Sequence, residues 1–156
     1  MSARPPLLQV LVLAAAFAGA AASQADTPAE VTVINGCHLW PYAQCPGADL
    51  RHANLTAAHG YAINAPGASF QNATLVGAVL DQGRFFRANF SGANLTGASL
   101  EIARLNYAWF IGATLVSANL QEAKFGGANL ANAVFEGNVL RFAIFPEAFM
   151  EGCTGC

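Results

Sequence analysis

Large apolar residues return at every fifth position from Leu50 to Met150, and the phase never slips. Nineteen of these 21 positions are Leu, Phe or Met, the exceptions being Gly60 and Ala65. Two residues before each centre, 18 of 21 positions are Ala, the departures being Ile63, Gly83 and Asn138. A five-residue step suits neither regular element. On a helix turning about 100° per residue it advances about 500°, so the large residues spiral around the axis and form no stripe. On one continuous strand it sends each successive large residue to the opposite face. The step does suit a short extended piece followed by a corner. Residues two apart on such a piece point the same way, so the Ala and the Leu both face inward before the chain turns. Coils of this kind stack, each touching only the next.

Ala93-Asn94-Leu95-Thr96-Gly97, Ala118-Asn119-Leu120-Gln121-Glu122 and Ala128-Asn129-Leu130-Ala131-Asn132 resemble the pentapeptide-repeat family, whose motif is Ala-(Asp/Asn)-Leu-x-x. The resemblance covers about residues 46–150. It implies an all-β fold, a right-handed quadrilateral β-helix with one pentad per side and four per coil, here about five coils. Gly36-Cys37…Cys45-Pro46-Gly47-Ala48-Asp49-Leu50 also resembles the cysteine-bounded lead-in of some exported members. The family is functionally heterogeneous; its best-known members mimic DNA and inhibit type II topoisomerases. The resemblance further suggests dimerisation through the C-terminal coils.

Residues 1–25 stand apart from the repeat. Arg4, then Pro5 and Pro6, precede an apolar run from Leu7 to Ala22 that only Gln9 interrupts. This is the plan of a secretory signal peptide, with small-residue cleavage sites after Ala25 or Ala22. The expected organisation is a signal peptide over 1–25 and an N-terminal cap over 26–47, with Val31-Thr32-Val33-Ile34 as a capping strand. The β-helix follows over 48–150, and a Cys-x-x-Cys tail over 151–156. The motif is weakest from Ala58 to Gly67, where Gly60, Ala65, Pro66 and Gly67 predict a bulge or loop.

Outward positions change character along the chain. The residue before each centre is mostly polar upstream, as in Asn89, Asn94, Asn119 and Asn129, and becomes Val134, Val139, Ile144 and Phe149 in the last pentads. Together with Phe142 these form a candidate interface, because exposed apolar patches mark interaction sites. Asp81 and Glu101 stack in the four-pentad phase, as do Arg84, Arg104 and Lys124 on the adjacent side. These charges are expected to neutralise one another across a corner, as a solvated surface.

Composition excludes several functions. Hydrophobic residues make up 54% of the chain, which rules out intrinsic disorder. Lys+Arg 7 against Asp+Glu 9, net -2, supplies neither the basic stripe that holds nucleic acid nor the dense acidic surface of a DNA mimic. Four cysteines behind an export signal point to disulfides. Stacked coils about 4.8 Å apart would put roughly 20–25 Å between the two ends, beyond disulfide reach. Cys37 is therefore expected to pair with Cys45, and Cys153 with Cys156 or with another chain. His38, His52 and His59 match no metal-ligand spacing, and no catalytic constellation or cofactor cradle stands out.

The sequence thus reads as a non-catalytic exported solenoid, with no cofactor and no metal. Its partner is an unidentified protein or a second copy; nucleic acid and stable membrane insertion after signal cleavage are not expected. The alternatives are a topoisomerase inhibitor and a thiol–disulfide protein using Cys153 and Cys156.

Overall fold

The computed structural model describes residues 33–156. The segment 1–25 expected to be a signal peptide, and Val31 and Thr32 of the expected capping strand, lie outside the described residues. The chain is a right-handed quadrilateral β-helix. Single parallel bridges run from Gln44↔Asn64 to Val134↔Thr154 and always join residues 20 apart, so one coil is four pentads. Each side is bonded in both directions. Thr114 donates its N–H to the Ala93 carbonyl (2.9 Å) below, and Leu115 donates to the Val134 carbonyl (2.7 Å) above.

Corners explain the period. Every fifth residue from Tyr42 to Gly152 has positive φ, whether glycine or not. At Phe110-Ile111-Gly112-Ala113 the Ala113 N–H donates to the Phe110 carbonyl at 3.0 Å, while φ is +64° at Gly112 and not positive at Ile111. That is a type II turn, whose third residue must enter the left-handed region. One turn per pentad rotates the chain to the next side, and two inward side chains per side fill the interior. Ala113 and Leu115 are both completely buried, as are Ala93 and Phe90.

The ladder reaches past both ends of the span the motif marks. Ala43 and Cys45 occupy the small and large inward positions of an earlier pentad and are buried. Thr154 is bridged to Val134, so the last residues continue the coil where a tail was expected. The motif hides these pentads because cysteine replaces the large residue in one and the small residue in the other.

The bulge or loop expected between Ala58 and Gly67 is absent. His59↔Val79 and Asn64↔Arg84 keep the ladder in register. The reason is conservation of volume: Ile63 is fully buried and fills the space that Gly60 and Ala65 leave. A Cβ added at Gly60 would meet Ile63 Cγ2 at 3.6 Å and Leu80 Cδ2 at 3.0 Å.

At the N-terminal end, β1 (Val33–Ile34) pairs antiparallel with β2 (Cys37–His38). Asn35 and Gly36 both have positive φ, as the tight turn of a two-residue hairpin demands. Asn35 Nδ2 donates to the Asp49 carbonyl at 2.6 Å, which ties the hairpin to the first coils. Cys37 and Cys45 form a disulfide across 5.4 Å between their Cα atoms.

Candidate functional site

Val139, Ile144 and Phe149 occupy the outward position on three successive sides of the last coil. Each is bridged to the coil beneath, at Asn119, Lys124 and Asn129 respectively. They remain about half exposed, at 51, 49 and 51%. Phe142 stands at the corner between Val139 and Ile144, where φ is 60°, and is the most exposed of the group. The Arg141 guanidinium lies over its ring, 4.9 Å from the centroid. Val134 sits one coil lower, with Thr154 bridged above it, so Thr154 completes the fourth side of the last coil.

Beneath this ring the core thins. Leu120, Phe125 and Leu130 are completely buried, whereas Leu140, Phe145 and Met150, one coil on, are only partly buried. Phe145 lies flat on Phe125, 4.7 Å between centroids, and has no such partner on its other face among the described residues. The arrangement offers a hydrophobic surface flanked by Arg141, Glu147 and Glu151, which is suited to binding. Cys153 and Cys156 are joined by a disulfide across 5.8 Å between Cα atoms. Among the described residues no helix is long and apolar enough to cross a membrane, and no three His, Cys, Asp or Glu side chains gather as a metal site. His38 stacks on Trp40 at 4.8 Å, His52 forms a corner, and His59 faces outward beside Val79.

The charge neutralisation expected across the corner does not form. Arg84, Arg104 and Lys124 do stack on one wall. Asp81, however, accepts hydrogen bonds from Ser99 Oγ (2.5 Å) and the Glu101 N–H (2.9 Å). Glu101 Oε2 accepts from Asn119 Nδ2 at 3.1 Å. Both carboxylates thus reach back to the side before the corner and away from the cations. The one ion pair among the described residues lies elsewhere, between Arg51 and Asp49 at 2.7 Å. The hydrogen bonds from Arg51 hold the Asp49 carboxyl down to about 2. A separation of 18 residues, one coil less two, links each acid to its Ser or Asn donor. That offset, read along the sequence, was the available signal.

The protein-family model described as pentapeptide repeats matches residues 43–82, 66–101, 84–121, 101–137 and 118–154. Similar folds occur among solved structures. A pentapeptide repeat protein (Rfr23) from the cyanobacterium Cyanothece is 22% identical, with a TM-score of 0.45, covering 71% of this chain and 90% of that one. A pentapeptide repeat protein from the Arabidopsis thaliana thylakoid lumen is 24% identical, with a TM-score of 0.46, covering 64% of this chain and 63% of that one. HetL from the cyanobacterium Nostoc, involved in heterocyst differentiation regulation, is 26% identical, with a TM-score of 0.37, covering 72% of this chain and 63% of its own. No curated protein matches the chain.

Proposed function

From the premise that the chain belongs to the pentapeptide-repeat family, we propose that it is a non-catalytic, exported interaction solenoid that pairs with a second copy through its last coil. The observation that carries this reading is the group Val139, Phe142, Ile144 and Phe149, all exposed together on the last coil, where the coil beneath presents Asn119, Glu122, Lys124 and Asn129. Val134 extends the apolar surface one coil down. Side chains of this size left in water forgo roughly 1.5–3 kcal/mol each relative to burial, which a matching surface recovers. Isologous pairing fits, because one self-complementary patch serves both partners. Export is supported by the apolar segment Leu7–Ala22, and the cysteine pairs suit an oxidising compartment.

Sedimentation velocity tests the pairing. The wild-type protein should run as a dimer at micromolar concentration. Ile144→Asp combined with Phe149→Asp should run as a monomer with an unchanged circular dichroism spectrum. A wild-type monomer at every concentration, or a dimer indifferent to both changes, would remove the proposal. Export is tested separately by intact mass after expression in an export-competent host. Cleavage after Ala25 or Ala22, with the loss of four hydrogens, is the expected result.

A further inference from the structure

Gln44, Asn64, Arg84, Arg104, Lys124 and Ile144 form one outward column, bridged residue to residue along the solenoid. Adjacent strands lie about 4.8 Å apart, so three cations stand in single file with like charge beside like charge. Such neighbours destabilise a sheet unless an anion lies against them. Of the acids on the adjoining corner, Asp81 and Glu101 are committed to Ser99, the Glu101 N–H and Asn119, and Glu122, two residues before Lys124, forms no ion pair with it. Among the described residues no carboxylate forms an ion pair with the column.

At the next corner Phe86 and Tyr107 rise beside this wall, packed edge to face at 5.5 Å and about half exposed. Between corner and wall runs a groove of about 350 Å³ lined by Asn64, Arg84, Phe86, Arg104, Asn106 and Tyr107. A second hollow of about 400 Å³ lies on the other flank of the column, against the preceding corner, and is lined by Tyr42, Gln44, Ala62, Asn64, Gln82 and Arg84. The column thus has an open hollow on each side.

We propose that this wall binds an acidic polysaccharide, a linear chain with a carboxylate on each sugar ring. Cations in single file call for a linear polymer with evenly and closely spaced anions. Planar guanidinium forks grip carboxylates at two points. The Asn106 amide and Asn64 Oδ1 offer donors and acceptors to hydroxyl groups, while Asn64 Nδ2 donates to Gln44 Oε1 (2.7 Å) and Gln44 Nε2 to the Tyr42 carbonyl (3.1 Å). Tyr107 supplies a flat apolar face for the C–H face of a sugar, and one face of the Phe86 ring already carries the Arg87 guanidinium, 5.1 Å from its centroid. An extended acidic peptide fits less well, since it brings no flat C–H face to Tyr107. Nucleic acid fits less well again, because a strand's successive bases stack on successive aromatic faces, whereas Phe86 and Tyr107 stand together at one corner.

Isothermal titration of the full chain with oligogalacturonate tests the proposal, with a neutral galactan oligosaccharide, polyglutamate and single-stranded oligothymidylate titrated in parallel. Oligogalacturonate should bind, more weakly as salt rises, and the neutral oligosaccharide should not. Arg84→Ala with Arg104→Ala should weaken binding at least about tenfold, as loss of charged hydrogen bonds implies. Tyr107→Ala should weaken it as well, and Arg51→Ala, off the wall, should not. Because these side chains are exposed, circular dichroism of each variant should match the wild type. Absence of oligogalacturonate binding, or binding indifferent to the arginine substitutions, overturns the proposal. So does equal or tighter binding of polyglutamate or oligothymidylate, which would assign the wall to another class of partner.

Discussion

Phe90 lies flat on Phe110, with ring centroids 4.9 Å apart and planes within 6° of parallel. Phe70 lies equally flat on Phe90 from the other side, at 4.6 Å and 4°. Free aromatic pairs prefer offset or edge-on contacts, since facing quadrupoles repel. Here the backbone decides, because residues 20 apart are bridged and strands sit about 4.8 Å apart. Phe85 offsets the repulsion. Its ring meets Phe70 and Phe90 edge-on, at interplanar angles of 77° and 76°.

Phe90→Ala should therefore leave a hole between two rings that the flanking coils cannot close. A loss of about 3–5 kcal/mol is expected, read as a lowered guanidinium midpoint. Phe90→Leu should cost less than about 1.5 kcal/mol, because Leu50 and Leu130 already occupy the same column. Equal costs for the two changes would mean that the column does not behave as a packed stack.

Gly83 takes the inward position that Ala fills in most pentads. A Cβ there would stand 2.8 Å from Phe85 Cζ and 2.9 Å from the Leu80 carbonyl oxygen. Gly83→Ala should cost about 1–3 kcal/mol by overpacking. Phe85→Leu in the same chain removes the ring, so the double variant should lose less than the sum of the single losses. Strict additivity in denaturation would show that Gly83 is not there to admit Phe85.

Gly112 and Ile102 separate backbone strain from packing. Both are corner residues, with φ of 64° and 58°. Nothing lies within 4 Å of a Cβ placed at Gly112, so Gly112→Ala tests the conformation alone and should cost about 1–2 kcal/mol. Ile102 is β-branched in the same region, where such residues are genuine outliers. Ile102→Gly should raise the denaturation midpoint, while Gly112→Ala lowers it.

The coil was legible in the sequence because its cause is periodic. Ala and Leu two apart must share a side, and a turn every five residues brings Phe70, Phe90 and Phe110 into line. Reading stopped short where chemistry changed but geometry did not. Cys45 serves as a large inward residue and Cys153 as a small one, and neither matches the motif. Ile63 and Gly60 exchange bulk, which looks like decay in a string of letters and is close packing in the coil. The outward, exposed positions of Val139, Ile144 and Phe149 follow from the period. The pairing of Asp81 with Ser99 was missed. Cross-corner charge looked sufficient, and the direction in which a corner side chain leans is not written in the period.

Asp49 gives the fold a defined acid limb. The hydrogen bonds from Arg51, foremost those from its guanidinium, lower its pKa from the ordinary 3.8 to about 2. A carboxyl whose folded pKa lies below its unfolded one stabilises the fold above the unfolded pKa. That contribution fades as pH falls from 3.8 towards about 2. The pair is exposed, so the change in stability should be small. The titration itself is the sharper measurement. By carbon-detected NMR the Asp49 carboxyl should show a midpoint near 2, and in Arg51→Ala the midpoint should return towards 3.8. An unmoved midpoint would mean that Arg51 is not the cause.

Asn138 occupies an inward position that 18 of 21 pentads give to Ala. In the neighbouring pentads the corner is closed by the small residue's own amide, as where Ala113 donates to the Phe110 carbonyl and Ala123 to the Leu120 carbonyl, each at 3.0 Å. The Ala118 N–H instead donates to Asn138 Oδ1 at 2.8 Å, one coil above. Asn138 Nδ2 is left buried without an acceptor. An unsatisfied buried donor costs about 1–3 kcal/mol, and the diverted amide leaves one corner unclosed. Asn138→Ala should therefore return the Ala118 amide to the Leu115 carbonyl and stabilise the chain by about 1 kcal/mol or more. The same change should slow hydrogen exchange at Ala118. If Asn138→Ala instead lowered stability, the cross-coil hydrogen bond would outweigh the stranded amide, and Asn138 would be holding the last coil onto the one beneath it.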